Sequence, residues 1–298
     1  MDMIRHAQFF VAVADELHFG NAARRLGLSQ PPLSQGIRRL EEAWGVRLFE
    51  RSARAVSLTA AGHELLPHAR DLLSTADRLE ERARGYETST IRVRVGVVPQ
   101  MSARLGASIV AAVSATGEGE RVDLCTASSA TLIERVTRGQ LDVAVVVHPS
   151  LLTRVHAGPV TRMSTYALVP QAHPAADLNV LRLRDLSGLA WAIPPRAHQP
   201  SAFDLTVDAF ERNGISSRTI SAADDREALA LAASGQAIGL TIDDTLEAVG
   251  VVRRSIEGDP LPLRLRTICA LPESQRPRTT VLAAVDDALR DFDQGARR

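Results

Sequence analysis

The sequence contains no lysine, so every fixed cation is an arginine, and these arginines are balanced by 35 acidic residues. A guanidinium can pair with guanine or phosphate through two parallel hydrogen bonds, but we attach no function to the absence of lysine itself. The formal net charge is zero, which argues against a protein that binds nucleic acid by bulk electrostatic attraction.

Cysteine is scarce as well: Cys125 and Cys269 are the only two. They lie in apolar runs typical of strands and match no metal-ligand spacing, so we interpret them as buried thiols without the basic, exposed surroundings of a reactive one. The eight histidines are scattered, and HExxH, Walker and GxSxG motifs are missing. We predict no metal, no cofactor and no enzymatic activity. The alternative, an enzyme built on the C-terminal half, would show turnover.

Long hydrophobic runs are also missing, since none approaches the ~18 residues that a membrane-spanning helix needs. The first residues, MDMIRHAQFF, lack the basic start and apolar core of a secretion signal. With 45% hydrophobic and 23% charged residues, the composition is that of a globular protein, and 298 residues suffice for two or three domains. We expect a cytoplasmic protein without a membrane partner.

The stretch AARRLGLSQPPLSQGIRRL, residues 22–40, has two runs of apolar residues at helical spacing. Asn21 is suited to cap the first helix and Ser29 the second, and Gly27 can take the left-handed geometry that ends the first. Two prolines occupy the first turn of the second helix, where missing amide protons matter least. Two short helices joined by such a turn predict a helix-turn-helix at about residues 18–37.

The outward face of the second helix carries amides, a hydroxyl and a cation, which suit base edges in a major groove. Its residues are Gln30, Pro32, Ser34, Gln35 and Arg38. The alternative is an ordinary helical hairpin with a polar, solvated face. Downstream, alternating residues from Gly45 to Thr59 predict a short hairpin with Arg51 and Arg54 at its tip.

From His18 to Gly62 the chain resembles the winged helix-turn-helix domain of LysR-type transcriptional regulators. The motifs SQPPLS, RRLEE, GVRLFER and LTAAG are close to the family's wording, in the usual order and spacing. The resemblance implies a DNA-binding domain at residues 1–58. The residues expected to contact DNA are Arg24, Ser29, Gln30, Pro31, Pro32, Ser34, Gln35, Arg38, Arg51 and Arg54.

Residues 59–88 form a long helical segment with an apolar heptad seam, which needs a partner helix. The seam residues are Leu65, Ala69, Leu72, Ala76, Leu79 and Ala83. In the resembled family this linker helix pairs two subunits; the alternative is a helix packed on its own domain. Pro67 lies inside the segment and predicts a kink. The sequence leaves dimer and tetramer open.

Residues 91–298 alternate strands with helices, which predicts α/β architecture with parallel sheets. Strands are predicted at 91–98, 122–126, 141–147, 166–169, 189–193, 217–221, 237–242 and 264–271, and helices at 102–115, 131–138, 202–212, 226–234 and 279–292. The pattern resembles the two-lobed, Rossmann-like effector domain of the LysR family. We expect lobe 1 at about 91–161 and 268–298, and lobe 2 at about 162–267.

Ligands in such folds lie beyond the carboxyl ends of strands, near helix N-termini, a position that favours an anion. The candidate effector residues are Pro99, Gln100, Met101, Ser102, Ser128, Ser129, His148, Arg196, His198, Gln199, Ser201, Asp224 (with its neighbour Asp225) and Thr241. Arg196 would pair with a carboxylate, whereas Ser102 and Ser128 are equally suited to be plain N-caps. Members that sense aromatic or unsaturated acids often have an arginine where this chain has Val147 and His148. An aromatic acid is therefore compatible with the sequence but not supported by it, and amino acids, sugar acids and neutral metabolites stay open.

These features together predict a homo-oligomeric transcriptional regulator. Its expected partners are double-stranded operator DNA, a small effector for which an anion is favoured, further copies of itself and RNA polymerase. The alternative is an architectural DNA-binding protein without an effector response, which competition between specific and random DNA would reveal.

Overall fold

A computed structural model describes residues 2–51, 56–88, 92–117, 121–215, 218–270 and 277–296. The chain divides into two compact units, Met1–Ser89 and Thr90–Arg298, and each is described by itself. The first is helical with one small hairpin, and the second is a two-lobed α/β structure, which confirms the predicted fold class.

The described helices of the N-terminal unit are α1 (Met3–Glu16), α2 (Phe19–Arg25), α3 (Gln30–Trp44) and α4 (Ala60–Thr88), and its strands are β1 (Phe49–Arg51) and β2 (Val56–Leu58). The two strands pair antiparallel, with Phe49 opposite Leu58, so the predicted hairpin is present. Its tip, including the predicted Arg54, and the side chain of Arg51 lie outside the described residues.

Apolar residues spaced three and four apart on α3 form the centre of this unit's core. Leu33, Ile37 and Leu40 are fully buried against Phe10 of α1. The Phe10 ring meets the Phe49 ring edge to face at 5.6 Å between centroids, which ties the hairpin to the helices. The helical periodicity of the sequence therefore predicts the buried face of α3 correctly.

The turn between α2 and α3 agrees with its predicted geometry, but the caps differ. Gly27 has a φ of 66° and ends α2 as expected. His18, not Asn21, caps α2, because its Nδ1 accepts from the amides of Gly20 and Asn21 at 3.1 and 3.2 Å. Ser29 holds the N-cap position of α3, yet its hydroxyl makes no capping bond.

The C-terminal unit contains the remaining elements. Its strands are β3 (Arg92–Val97), β4 (Arg121–Thr126), β5 (Val143–Val147), β6 (Val155–Met163), β7 (Tyr166–Pro170), β8 (Val180–Leu181), β9 (Ala190–Ile193), β10 (Thr219–Ser221), β11 (Ala237–Thr241), β12 (Val251–Ile256) and β13 (Leu263–Ala270). Its α-helices are α5 (Ala103–Ala115), α6 (Ser129–Thr137), α7 (Pro200–Arg212), α8 (Asp225–Ala233) and α9 (Pro277–Ala296).

Two sheets define the two lobes. The sheet of lobe 1 has the order β4-β3-β5-β13-β6, and that of lobe 2 has the order β10-β9-β11-β7-β12-β8. Both sheets are mixed rather than purely parallel, because β13 runs antiparallel to β5 and β6, and β7 runs antiparallel to β11 and β12. Trp191 and Phe210 stack at 4.6 Å in the core of lobe 2.

The predicted lobe boundaries need correction. Strand β6 extends to Met163, and β13 begins at Leu263, so both belong to lobe 1 throughout their length. The prediction failed here because β6 contains Gly158 and Pro159, which indicate a break when only the sequence is considered. Strand β12 was also not predicted. The chain therefore crosses between lobes at residues 164–165 and 257–262.

Side chains tie the two crossings to each other. The hydroxyl of Thr165 donates to the Leu261 carbonyl at 2.9 Å, and the Thr165 amide donates to the Asp259 carboxylate at 3.4 Å. Arg162 forms an ion pair with Asp259 at 3.5 Å. The lobes are thus joined by two adjacent, cross-linked segments.

We expect Gly158→Ala to destabilise the chain by roughly 1–3 kcal/mol, since overpacking a tight core has this effect. A Cβ at this position would lie 2.2 Å from Thr267 Oγ1 and 2.6 Å from Asp286 Oδ2, a buried pair joined by a hydrogen bond. Urea unfolding measures the change.

Gly106→Ala is the matched control. Its Cβ would lie 3.6 Å from Leu124 Cδ2, an ordinary contact inside helix α5, so we expect a gain of about 0.5–1 kcal/mol. Equal stability of Gly158→Ala and the wild type would show that β6 and α9 relax freely around this pair.

Candidate nucleic-acid interface and ligand cleft

Helix α3 exposes the residues that the sequence predicted for DNA contact. Gln30, Pro31, Pro32, Gln35 and Arg38 are exposed, Ser29 before the helix is exposed, and Ser34 is half-buried. The opposite face supplies the core. A rigid, well-packed helix therefore presents a polar surface of the width that a major groove admits.

The arginines of this unit differ in whether they are already paired. Arg25 forms ion pairs with Asp15 at 3.2 Å and with Glu16 at 3.5 Å. Arg24 donates to the Asn21 side chain at 2.6 Å. Within the part of the chain that the structure describes, Arg38 has no such partner, so its guanidinium is available for a base or a phosphate.

Glu41 has a role that the sequence analysis missed. Its Oε1 accepts from the amides of Leu48 at 2.8 Å and Phe49 at 3.3 Å, where the hairpin begins. This arrangement attaches the hairpin to α3 and directs one acidic side chain of that helix toward backbone amides. A glutamate one turn before a helix end followed by an apolar strand is too common a pattern to indicate this contact in advance.

Helix α4 runs through Pro67 without interruption, and it has two different apolar regions. Leu65, Ala69 and Leu73 join the core of the N-terminal unit, and Arg70 pairs with Asp15 of α1 at 2.6 Å. Leu65 and Ala69 are therefore corrected from seam to core residues: the first turns of α4 pack on their own domain, which was the alternative interpretation.

The later part of the predicted seam is not used by this unit. Leu72 and Ala83 are exposed, Ala76 is half-buried, and Leu79 is 71% exposed. A leucine this exposed on a helix is compatible with a missing partner surface, because burying it would remove apolar area from water. The pairing stays a prediction, and it concerns the part of α4 from Leu72 onward.

A cleft of about 130 Å³ lies at the interface of the two lobes of the C-terminal unit. Five of the predicted effector residues line it: Gln100, His148, Gln199, Asp225 and Thr241. Two arginines also line it, Arg212 of α7 and Arg264 of β13, and both interlobe crossings contribute through Thr165 and residues 260–263. The crossing residues were missed because their positions depend on the mixed sheet topology.

Two groups in the cleft have shifted pKa values. The pKa of Asp225 is raised to about 7, chiefly by burial and also by the nearby carboxylates of Asp243 and Asp224, against a hydrogen bond from Thr241 that lowers it. Burial lowers the pKa of His148, as do the charges of Arg266 and Arg264. The histidine is therefore neutral near pH 7.

Gln100 connects the lobes across the cleft. Its Nε2 donates to the Ala223 carbonyl at 3.1 Å, and its buried Oε1 has no hydrogen-bond partner among the described residues. A buried acceptor without a partner is unfavourable in the absence of a ligand or water.

Several predicted effector residues serve the protein's own backbone instead. Ser102 accepts from the Leu105 amide and Ser128 from the Thr131 amide, both at 3.2 Å, so these two are N-caps. Asp224 caps α8 through the amides of Arg226 and Glu227. Ser129 accepts from the Val147 amide at 3.0 Å. Short polar side chains at helix starts bind nearby amides readily, which explains the correction.

The Arg196 prediction is also corrected. Its guanidinium forms two hydrogen bonds of 2.8 Å with the Asp204 carboxylate, which raises the pKa of Arg196 and lowers the pKa of Asp204. Neither this arginine, His198 nor Ser201 lines the cleft. Pro99, Met101 and Ser102 line a separate, mostly apolar groove beside α5 and β4.

The two cysteines differ from each other. Cys269 is buried, as predicted, but Cys125 is half-buried and lies 3.9 Å from Nη1 of Arg135, so the expectation of surroundings without basic groups was wrong for this residue. Among the described residues, no cluster of three or more His, Cys, Asp or Glu side chains is arranged to hold a metal ion. None of the described helices combines the length and hydropathy of a membrane span.

Two family models match the chain. The one described as bacterial regulatory helix-turn-helix protein, lysR family, covers residues 4–63, and the one described as LysR substrate binding domain covers residues 87–293. These ranges correspond to the helix-turn-helix with its hairpin and to the two-lobed unit that contains the cleft.

Curated relatives and solved structures point to the same family as these two models. The transcriptional regulator AlsR of Bacillus subtilis is 34% identical over 187 residues, 61% of each chain. The transcriptional regulator ShiR of Corynebacterium glutamicum is 33% identical over 250 residues, 81% of this chain and 83% of its own.

The crystal structure of CbnR, a LysR family transcriptional regulator, has a TM-score of 0.76 at 23% identity and covers 97% of this chain and 99% of that one. A CbnR structure in complex with its target DNA has a TM-score of 0.74, with the same identity and coverage. This chain therefore belongs to the LysR family of transcriptional regulators, in which a DNA-binding helix-turn-helix domain precedes a ligand-binding domain.

Proposed function

We propose that this protein is a homo-oligomeric regulator that binds specific double-stranded DNA through α3 and responds to a small molecule in the interlobe cleft. The observation that carries the proposal is the exposed face of α3, which combines Gln35 and an Arg38 that has no partner among the described residues with a fully buried opposite face. Hydrogen-bonding amides and a free guanidinium on a rigid helix are the groups that read base edges.

The residue roles follow from this placement. Gln30, Pro32, Ser34, Gln35 and Arg38 face the major groove, where the amides, hydroxyl and guanidinium contact base edges and the proline sets the approach of the helix. Arg51 and Arg54 of the hairpin hold phosphates, as the family resemblance implies. The DNA complex of CbnR supports this arrangement, since that protein has the same fold. A regulator of chromosomal promoters works in the cytoplasm, and RNA polymerase is its expected partner there.

The cleft provides the response to a ligand. Its walls come from both lobes and from both crossings, so a molecule bound there contacts parts that can change their relative position. A ligand shifts such an equilibrium only by its difference in affinity between two arrangements. The response reaches DNA through paired copies of α4, whose exposed Leu72 and Leu79 supply the oligomer contact. Both dimers and tetramers are compatible with this contact.

An electrophoretic shift assay tests the proposal directly. Purified full-length protein is mixed with labelled DNA from immediately upstream of its own gene, at moderate salt, with random DNA as competitor. We expect retention that a thousandfold excess of random DNA does not remove, since specific binding is typically ~10³–10⁷ times tighter than non-specific binding. Complete loss to an equal mass of random DNA would favour the architectural alternative. A steep salt dependence of both complexes would show that phosphate contacts dominate.

A further inference from the structure

Groups of opposite charge line the cleft. Lobe 2 contributes Asp225 with Thr241, together with Arg212 of α7, and lobe 1 contributes Arg264 beside the neutral His148. We propose that the effector is a zwitterion of the amino-acid type, with its ammonium group at the Asp225–Thr241 pair and its carboxylate at Arg264. This inference rests on the proposed function and specifies the ligand of the same cleft.

The acidic wall lacks a cationic partner. One carboxylate oxygen of Asp225 accepts from the hydroxyl of Thr241, which in turn accepts from the Asp243 amide at 2.9 Å. The other oxygen has no hydrogen-bond partner among the described residues, and no arginine or histidine there pairs with this carboxylate. The site therefore presents an acceptor of fixed orientation toward the cleft, and an ammonium group donates the hydrogen bonds that it needs.

The amides of Arg226 and Glu227 at the start of α8 are not available to an anion. Asp224 occupies the amides of Arg226 and Glu227, and the Glu227 carboxylate occupies the Ala223 amide at 2.7 Å. The N-terminus of α8 is thus satisfied by the protein's own carboxylates. The sequence-based expectation of an anion at this helix start does not apply here, because those carboxylates would repel it.

The titration behaviour of Asp225 agrees with a missing cation. Burial raises its pKa to about 7, and the carboxylates of Asp243 and Asp224 act in the same direction. An ammonium group that entered the cleft would stabilise the ionised carboxylate and remove part of this penalty. The wall is therefore more favourable with a cationic ligand than when empty.

The opposite wall presents a cation without a carboxylate. Arg264 lines the cleft, and no ion pair of its guanidinium occurs among the described residues. Its neighbour on the same strand, Arg266, is turned to the Gly158 carbonyl at 2.7 Å. A carboxylate can accept two hydrogen bonds from Arg264, which matches the planar geometry of both groups.

The remaining surface limits the size and polarity of the ligand. Ile193, Phe203 and Leu240 line the cleft between the charged walls. A volume of about 130 Å³ accommodates roughly ten water-sized positions. A compact molecule with an aliphatic body and two opposite charges fits these conditions better than a simple carboxylate or a simple amine.

The test begins with thermal unfolding of the full-length chain in the presence of each of the twenty L-amino acids at millimolar concentration. Ligands that bind only the folded state raise the Tm. For each amino acid that does so, calorimetry compares it with the carboxylic acid that lacks its amine and the amine that lacks its carboxylate. We expect at least one amino acid to bind and the loss of either charge to weaken binding at least tenfold.

Two variants test where the ammonium group and the carboxylate of the ligand bind. Asp225→Asn and Arg264→Gln should each lower the affinity for the amino acid at least tenfold, whereas Asp177→Asn, a matched change at an exposed position of lobe 2 outside the cleft lining, should leave it within twofold. Tm values without ligand show whether each variant folds. If Asp225→Asn does not fold, the comparison of amino acid, acid and amine on the wild type decides alone.

Three results would overturn the inference. They are binding by none of the twenty amino acids, equal affinity for the acid that lacks the amine, and equal affinity for the amine that lacks the carboxylate. The shift assay on the same preparation separates this failure from that of the proposed function. Specific DNA binding without amino-acid binding rejects the zwitterion only, while amino-acid binding without specific DNA binding rejects the regulator only.

Discussion

Leu79→Asp is expected to convert the oligomer into folded monomers and to lower the affinity for operator DNA at least ~100-fold. Linking two DNA-binding domains makes the second contact intramolecular, which raises overall affinity by about 10²–10⁴. Leu79 is 71% exposed in the single chain, so the new carboxylate disturbs no core of its own unit. Light scattering measures the mass, and the shift assay measures the affinity.

Leu151→Asp is the matched control, because Leu151 is 83% exposed and lies in a loop of the C-terminal unit. It adds the same charge to the surface and should change neither mass nor affinity. If Leu79→Asp keeps the mass of the wild type, the second half of α4 does not hold the copies together, and the exposed leucines need another explanation.

Arg38→Ala should weaken operator binding by ~1–3 kcal/mol and relax the preference at one base-pair position. The guanidinium is exposed on α3 and has no partner among the described residues, so its removal leaves none of those residues without a hydrogen-bond partner. Binding to a library of operators with single base changes measures both effects. A loss at one position indicates contact with a base, most readily a guanine.

Arg39→Ala provides the comparison on the same helix, since Arg39 is exposed but lies outside the predicted contact face. We expect it to leave the base preference unchanged. Weakening by Arg38→Ala that is uniform across all sequences would identify a phosphate contact instead, and would also reduce the salt dependence of binding.

The sequence predicts the N-terminal unit well because its signals are local. The spacing of Leu33, Ile37 and Leu40 specifies the buried face of α3, and the turn at Gly27 needs only one residue of suitable geometry. The cap of α2 was wrong because a histidine side chain can accept from backbone amides as Asn does. Asparagine is the more common N-cap residue, but in this chain α2 begins at Phe19, which places His18 rather than Asn21 at the N-cap position.

The cleft is predicted less well because its wall is assembled from distant parts of the chain. Arg196 looked free in the sequence, but α7 places Asp204 beside it. Arg264 became a cleft residue only because β13 returns to lobe 1 as an antiparallel strand, which periodicity does not indicate. Ser102 and Ser128 were predicted to contact the effector because each precedes a helix, but their hydroxyl groups already accept hydrogen bonds from backbone amides.

The cross-linked crossings have a mechanical consequence. Thr165 and Leu261, which hold the two segments together, also line the cleft, so the ligand touches the pivot of the two lobes rather than their outer ends. In a lever, a displacement beside the pivot is small, and it grows in proportion to the distance from it. If the lobes rotate about these crossings, a shift of a fraction of an ångström at Leu261 corresponds to a movement several times larger at β4 and β10, the edge strands farthest from the crossings in the two sheet orders.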